Sequence, residues 1–160
     1  AIGVLPGVKK LGQERIQAKY TSEKDSMLAF AYYVNKAFEQ KLNTIAIQNE
    51  MNLNDIKVLA ALVNAGHDNT IDDISDYTGI SSLNVSIIIT KLNMKGIVVM
   101  EAREGRAHVS LADTAHPIYE QIREALNDLE DIIFADISEE DNQKFNALIL
   151  KMIQNMRKIV

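Results

Sequence analysis

The sequence contains no cysteine among its 160 residues. This absence excludes disulfide bonds, a thiolate zinc site, a cysteine nucleophile and a thiol redox switch. Long apolar runs are also missing, because no stretch approaches the roughly 18 to 20 consecutive apolar residues that a bilayer crossing requires. The first residues, AIGVLPGVKKLGQERIQ, do not place a basic stretch ahead of an apolar one, as a secretory signal does. We therefore expect a cytoplasmic protein that does not associate with membranes.

Basic residues are outnumbered by acidic ones, and the formal net charge is -5 at pH 7. Such a balance argues against a protein that coats nucleic acid indiscriminately. The distribution is uneven, because residues 1–50 and residues 79–111 each carry two more positive than negative charges. Catalytic signatures are missing too, since the chain has no GxSxG, no HExxH and no phosphate-binding glycine loop. We expect neither enzymatic activity nor a cofactor.

Apolar residues make up 47% of the chain and charged residues 24%, a composition typical of a folded globular unit. Residues 1–21, with Pro6 and three glycines, predict an N-terminal extension. A helix is expected from Ser22, which starts a capping box with Asp25, to about Leu42. Its segment MLAFAYYV is apolar on nearly all sides. We expect such a helix to be buried on more than one side, against its own domain and a partner chain.

Three short helices follow, and each is delimited by recognisable caps. In NLNDIKVLAALVNAG the apolar residues recur at helical spacing, and Gly66 ends the helix. After a loop at residues 67–69, Thr70 caps the helix IDDISDYT with an aspartate three residues on, and a glycine ends it. Ser81 caps SLNVSIIITKLNMK, which Gly96 closes. The inward face of this last helix consists of Val85, Ile88, Ile89 and Leu92.

A β-hairpin and two further helices complete the chain. The segments IVVMEA and AHVSL predict two strands joined by REGR, which would form a wing beside the short helices. A long helix is expected from Asp113 to about Ile133, with a coiled-coil-like seam of Ile118, Ile122, Ala125, Leu129 and Ile132. Ser138 starts a final helix whose apolar face is Phe145, Leu148, Ile149, Met152 and Met156.

The order helix, turn, helix, hairpin has a physical use in nucleic-acid binding. The second helix fits the major groove of B-DNA, about 12 Å wide, while the hairpin tip reaches the neighbouring backbone or minor groove. Hydroxyl groups suit phosphates or base edges, Asn84 suits adenine, and Ile87 suits a thymine methyl group. The residues of this helix predicted to contact DNA are Ser81, Ser82, Asn84, Ser86, Ile87, Thr90 and Lys91.

The hairpin segment REGR adds Arg103 and Arg106 to this predicted DNA-binding set. Two arginines around a tight turn suit insertion into a narrow minor groove. Both groups also have a plainer interpretation: the helix face could be merely solvated, and the two arginines could merely keep a turn soluble.

Over roughly residues 26–158 the sequence resembles the multiple-antibiotic-resistance regulator (MarR) family. The resemblance is strongest in IKVLAAL, TIDDISDYTGISSLNVSIIITKLNMKGIV, EGRAHVSLAD and YEQI, in that order. It implies that residues 81–95 form a recognition helix, that Glu104 and Arg106 match an acidic residue and an arginine of the family's wing, and that the first and last two helices hold a homodimer. Recognition helices of the family often carry arginine where this chain has Ser82 and Ile87, which implies weak or strongly salt-dependent DNA binding.

Many members of this family release DNA when a small organic ligand enters between the dimer helices and the winged domain. The residues that could supply aromatic walls and polar handles are Met27, Phe30, Tyr32, Tyr33 and His67. The same aromatic side chains also fit a dimer core, since helical aromatic stripes usually pack. A metal site is not expected, because the three histidines lack the spacing of zinc ligands.

Together these patterns predict a mainly α chain with a small β-hairpin wing. Residues 51–111 would form a winged helix-turn-helix, and residues 22–50 and 112–160 a helical dimerisation region. The predicted function is that of a dimeric, sequence-specific DNA-binding regulator on a pseudo-palindromic operator, and by resemblance a repressor relieved by a small effector. The alternative is a dimeric ligand-binding or protein-interaction module that kept the fold and lost DNA affinity.

Overall fold

The computed structural model describes residues 26–66 and 69–160, and shows helices arranged around a small antiparallel sheet. The predicted N-terminal extension (residues 1–21), the capping box at Ser22 and the predicted ligand residue His67 lie outside the described residues. A 3₁₀ turn at Asp113–Ala115 precedes the fifth helix. The elements in chain order are α1 (Ser26–Gln48), α2 (Leu53–Ala65), β1 (Asn69–Thr70), α3 (Ile71–Thr78), α4 (Ser82–Met94), β2 (Val98–Arg103), β3 (Arg106–Leu111), α5 (His116–Ile133) and α6 (Glu139–Met156).

Helix α1 runs to Gln48, six residues beyond the end expected at Leu42. Its last turns bury Leu42, Ile45 and Ala46 on the side that packs against α2 and α5. The helix closes at Glu50, whose φ of 54° is left-handed, while the N–H of the next residue donates to a carbonyl of the last turn. The predicted end was wrong because no glycine or proline marks the true one.

The core lies where α2 and α4 meet the sheet, with α1 and α5 packed beside them. The predicted inward face of α4 is confirmed, since all four of its side chains are at most 8% exposed. The α2 helix ends at Gly66 as predicted, and its apolar side chains complete the same core. The aliphatic side of α4 is therefore fixed inside the molecule, which leaves the opposite side of the helix at the surface.

The sheet has three strands, one more than the predicted hairpin. Strands β2 and β3 pair antiparallel over all six residues of each, as expected. Strand β1 adds to the other edge of β3, with Asn69 opposite Val109. The loop predicted at residues 67–69 was therefore wrong for Asn69. A two-residue strand carries no alternation pattern, and its partner lies about 40 residues further along the chain.

The apolar seam of α5 packs inside the chain. Ile122 is fully buried and Leu129 is 3% exposed, while Ile118 and Ala125 pack against the same core; Ile132, in contrast, is 63% exposed. Helices α1 and α2 of the same chain cover most of this seam, and the predicted helical dimerisation region stays a prediction. A repeat pattern indicates that a face is covered and leaves open what covers it.

The last two helices differ in how well their predicted starts hold. Asp113 was expected to begin the long helix, but it begins the 3₁₀ turn, and α5 itself starts at His116. Helix α6 starts as predicted, with the Ser138 hydroxyl accepting a hydrogen bond from the Asp141 N–H at 3.1 Å. No residue of α6 is buried within the described chain. Among the described helices, none combines the length and the apolarity that a bilayer crossing requires.

Candidate nucleic-acid interface

Side-chain caps fix the turn between α3 and α4. Thr70 and Asp73 cap α3 reciprocally: the Thr70 hydroxyl accepts from the Asp73 N–H, and the Asp73 carboxylate accepts from the Thr70 N–H at 2.9 Å. The hydrogen bond from the Thr70 N–H first, and then the one that the Thr70 hydroxyl donates to the same carboxylate, hold the pKa of Asp73 below its ordinary value. Gly79 ends α3 at a φ of 72°, and Ser81 then caps α4 by accepting from the Asn84 N–H. The predicted helix-turn-helix is thus confirmed down to its caps.

Helix α4 presents a mostly polar face to the surface. The predicted residues Ser81, Ser82, Asn84 and Thr90 are exposed, and Ser86 is half-buried. Ile87 is 59% exposed, so its apolar side chain points away from the core as expected. We call this surface, with Leu83 included, the outer face of α4; it consists of Ser81, Ser82, Leu83, Asn84, Ser86, Ile87 and Thr90.

Leu83 is a member of the outer face that the sequence analysis missed. Its side chain is 72% exposed, and it lies one helical turn before Ile87. Residues four apart lie on the same side of a helix, so the two side chains form one apolar pair on an otherwise polar surface. The sequence did carry a signal for this placement, because position 83 falls outside the spacing that buries Val85, Ile88, Ile89 and Leu92.

Lys91, predicted to contact DNA, forms an ion pair with a carboxylate of the same chain. Its Nζ lies 2.7 Å from one carboxylate oxygen of Asp55 and 2.8 Å from the other. The Asp55 side chain is only 3% exposed, so a lysine that left this pair would strand a buried carboxylate. The structure assigns Lys91 to a tie between α2 and α4 rather than to the outer face. Sequence reasoning missed this pair because its partners are 36 residues apart.

Two other predicted residues of α4 also have partners within the chain. The Ser82 hydroxyl donates to the Asp72 carboxylate at 2.9 Å, and the Thr90 hydroxyl donates back to a carbonyl of its own helix. The Asn84 side-chain amide is exposed and has no hydrogen bond to any part of the chain that the structure describes. The Asn84 amide is therefore available to an outside partner without the loss of an internal contact.

The tip of the β2–β3 hairpin, the wing, is a two-residue turn at Glu104 and Gly105. Their φ values of 50° and 75° are both positive, as in the type I′ turn that two-residue hairpins favour. Arg103 and Arg106 pair across this turn. The Arg103 guanidinium donates to the Glu101 carboxylate at 2.5 Å, which offsets its charge. Arg106 is exposed at the tip, and no ion pair joins it to the part of the chain that the structure describes.

A cavity of about 530 Å³ lies between the helix-turn-helix and the long helices. Of the predicted ligand residues Phe30 lines it, whereas Met27, Tyr32 and Tyr33 do not, and Tyr32 and Tyr33 are half-exposed on α1. Met27, Tyr32 and Tyr33 therefore lie outside this cavity, and their contact with a ligand stays a prediction, because apolar spacing on α1 did not show which of its faces meets the winged domain. The aromatic lining that the sequence analysis missed consists of Phe38, Tyr77, Phe134 and Phe145.

Polar groups at this cavity connect it to the helix-turn-helix. The Lys57 ammonium lies 2.8 Å from the Glu39 carboxylate, and this hydrogen bond lowers the pKa of Glu39. The Asn64 amide of α2 donates to the Tyr77 hydroxyl of α3. Glu130 adds a second carboxylate to the lining. The lining thus carries one ammonium against two carboxylates, and one of its walls belongs to the helix that precedes α4.

Histidine, aspartate and glutamate side chains are scattered rather than clustered. Within residues 26–66 and 69–160, no group of three of them is placed to hold a metal ion. The Nε2 atom of His116 lies 3.8 Å from the Oε1 atom of Glu120, one turn further along α5. A single pair of this kind falls short of the four ligands that zinc normally takes.

Comparison of the fold with solved structures identifies similar proteins, although no protein-family model and no curated protein matches the sequence. A MarR-family transcriptional regulator from Silicibacter pomeroyi is similar over 82% of this chain and 90% of its own, with a TM-score of 0.74 and 17% identity. A MarR transcriptional regulator from Methanosarcina mazei Go1 is similar over 90% and 98%, with a TM-score of 0.72 and 14% identity. NadR, solved in complex with 4-hydroxyphenylacetate, is similar over 84% of this chain and 99% of its own, with a TM-score of 0.64 and 17% identity. The chain has the winged helix-turn-helix fold of MarR-family transcriptional regulators.

Proposed function

We propose that this chain, built on the fold of MarR-family regulators, is a cytoplasmic homodimer that binds a pseudo-palindromic DNA operator and represses transcription. One observation carries the proposal: α4 buries the side formed by Val85, Ile88, Ile89 and Leu92 and exposes its hydroxyl and amide side, with Arg106 at the tip of the adjacent hairpin. A helix displayed in this way fits the major groove, and an arginine on the wing reaches a neighbouring minor groove or the backbone. No residue of the chain is proposed to act in catalysis.

The proposal is tested by fluorescence anisotropy with the DNA upstream of the protein's own coding sequence. We expect binding that weakens steeply between about 50 and 200 mM salt, because phosphate contacts release counterions. Arg106→Ala should weaken binding about tenfold, the loss typical of one good contact. Arg123→Ala is the matched control, since Arg123 is an exposed arginine on α5, away from the wing and α4. Equal losses for the two variants would contradict the assigned interface.

A second subunit is proposed because two helices leave apolar side chains uncovered. On α6, Leu148, Met152 and Met156 are between 44% and 52% exposed, and near the start of α1, Met27 and Leu28 are 73% and 68% exposed. Monomeric proteins rarely leave large apolar patches exposed without a use for them. A twofold dimer would also present two copies of α4 to half-sites about one helical turn of DNA apart.

Relief of repression by a small ligand is proposed from the cavity that Phe38, Tyr77 and Phe145 line. Its volume of about 530 Å³ lies within the range of small-molecule sites, roughly 300 to 1,000 Å³. The Asn64–Tyr77 hydrogen bond links its wall to α3, so a ligand there could shift the helix-turn-helix. The neighbour NadR was solved with an aromatic acid. Here, however, Glu39 already neutralises Lys57, and we propose an uncharged aromatic ligand instead.

Thermal unfolding tests this site with p-cresol and 4-hydroxyphenylacetate as probes. A ligand at ten times its Kd stabilises by about 1.4 kcal/mol, which raises Tm by about 4 °C. We expect that rise with the uncharged p-cresol and a smaller one with the carboxylate. Ala60→Phe, which places a ring in the cavity, should abolish the rise while leaving the fold intact. A rise that persists in Ala60→Phe would place the ligand elsewhere, and no rise with either probe would refute this ligand class.

The alternative, a dimeric ligand-binding or protein-interaction module without DNA affinity, is favoured by the scarcity of free positive charge. Lys91 and Arg103 are paired with carboxylates, and Asp72 lies against the start of α4. This alternative predicts no binding to upstream DNA even at low salt, together with an intact response to p-cresol. The two experiments above therefore separate it from the regulator.

A further inference from the structure

The chemistry of the outer face of α4 limits which base pairs it can read. Guanine is most often read by an arginine or lysine that donates two hydrogen bonds to its O6 and N7 atoms. Helix α4 contains no arginine, and its one lysine, Lys91, is held by both oxygens of the buried Asp55. Lys95 follows the end of the helix, whereas the base-contacting residues of a recognition helix lie towards its N-terminal end. The usual means of reading guanine is absent from this face.

The groups that the face does offer match adenine and thymine. Leu83 and Ile87 are 72% and 59% exposed, lie one turn apart, and form an apolar surface in the N-terminal half of the helix. In the major groove, the apolar feature of a base pair is the C5-methyl group of thymine. Asn84 follows Leu83 in the helix and is exposed beside this pair, and its amide can both accept from N6 and donate to N7 of adenine.

We propose that each half-site contacted by α4 is rich in A·T pairs, with Leu83 and Ile87 packed on thymine methyl groups and Asn84 bonded to adenine. The inference rests on the proposed DNA-binding function and adds to it the class of sequence that is recognised. Its distinctive element is the apolar pair, because methyl groups can be removed from DNA without altering base pairing.

The test begins with selection of duplexes from a random library by the full-length protein. We expect the bases that face α4 in the enriched half-sites to be A and T. Replacing the thymines of the selected half-sites by deoxyuridine, which lacks only the methyl group, should then weaken binding about fourfold for each methyl that is contacted. Because both duplexes carry the same charge, a salt-dependent backbone contribution cancels in this comparison.

Variants assign the effect to named side chains. Leu83→Ala and Ile87→Ala should each reduce the difference between the thymine and deoxyuridine duplexes, and the double variant should bind the two duplexes nearly equally. Because both side chains are exposed, these variants should fold normally. Asn84→Ala is the matched control: it should relax the preference for adenine but keep the difference between thymine and deoxyuridine. Ile87→Arg supplies the missing guanine-reading group and should shift selection towards G·C at the facing position.

The outcomes separate this inference from the proposed function. Selection of guanine opposite α4, or equal binding of the thymine and deoxyuridine duplexes, would overturn the A·T inference while leaving a DNA-binding regulator in place. Failure to enrich or bind any duplex would overturn both.

Discussion

Asp55 connects two parts of the described chain that lie 36 residues apart. One of its oxygens accepts from the Asn52 N–H at 3.1 Å, which caps the start of α2, and both oxygens accept from Lys91 of α4. The buried Asp55 carboxylate therefore holds α4 in place against α2. Removing one partner of such a pair is far more costly than removing one partner of a surface ion pair.

At this residue scale we predict that Lys91→Met lowers the free energy of unfolding by about 3 kcal/mol, because it strands the Asp55 carboxylate. The figure lies at the low end for buried pairs, since the Lys91 side chain is 39% exposed and water can reach it. Urea denaturation measures the loss. Lys144→Met is the control: its pair with Glu140 is well exposed, and we expect at most about 0.5 kcal/mol.

The double variant Asp55→Asn with Lys91→Met tests whether the unpaired carboxylate is the cause of this loss. It should be more stable than Lys91→Met alone, because the buried site no longer holds an unpaired charge. If Lys91→Met costs no more than Lys144→Met, the pair does not have the structural role assigned to it.

At the scale of a single element, the wing depends on backbone conformations at its tip. Gly105 has a φ of 75°, a region that a β-branched residue rarely adopts, and no atom would obstruct an added side chain there. The constraint is thus on the backbone itself. Because Arg106 follows directly, any strain at Gly105 acts on the residue assigned to DNA.

We predict that Gly105→Val lowers stability by about 1 to 2 kcal/mol and Tm by about 2 to 8 °C, measured by circular dichroism. DNA binding should weaken as well, since the tip that carries Arg106 is distorted. Ala107→Val adds a β-branched side chain two residues on, in the extended backbone of β3, where such residues are favoured. A Gly105→Val protein as stable as Ala107→Val would show that the turn does not require this conformation.

At the scale of the whole molecule, the described residues form one well-buried core and one helix, α6, that has no buried residue. The core joins α2, α4 and the sheet, and α5 adds Ile122 to it. Helix α6 contributes no buried residue, although its apolar side chains recur at helical spacing. We therefore expect the chain to be complete only as a pair of subunits, with α6 covered by the second copy.

Light scattering coupled to size exclusion should give a mass of about twice the 17.9 kDa of one chain. The double variant Leu148→Glu with Met152→Glu should shift the mass to that of one chain and weaken operator binding, because two half-sites would no longer be held together. Gln143→Glu with Gln154→Glu adds the same two charges at exposed polar positions of α6 and should leave the dimer intact. A double Leu148 and Met152 variant that stays dimeric would place the interface elsewhere.

Features that depend on neighbours within a few residues could be predicted from the sequence. The caps at Thr70 and Ser81 and the glycine end of α2 follow from hydrogen bonds and backbone preferences over one turn. The buried face of α4 follows from apolar spacing, and the hairpin from alternation around a short turn. These local rules were enough to predict the winged helix-turn-helix and most of the outer face.

Tertiary structure alone decided what covers each face and which charges remain free. Strand β1 forms because the edge of β3 is available for pairing. Most of the α5 seam is covered by α1 and α2 of the same chain, and the cavity is lined by residues from five helices. The charge of Lys91 is paired because a carboxylate of another helix, that of Asp55, lies within hydrogen-bond distance. Each of these outcomes depends on distances between elements far apart in the chain, and a local pattern of residues contains no information on those distances.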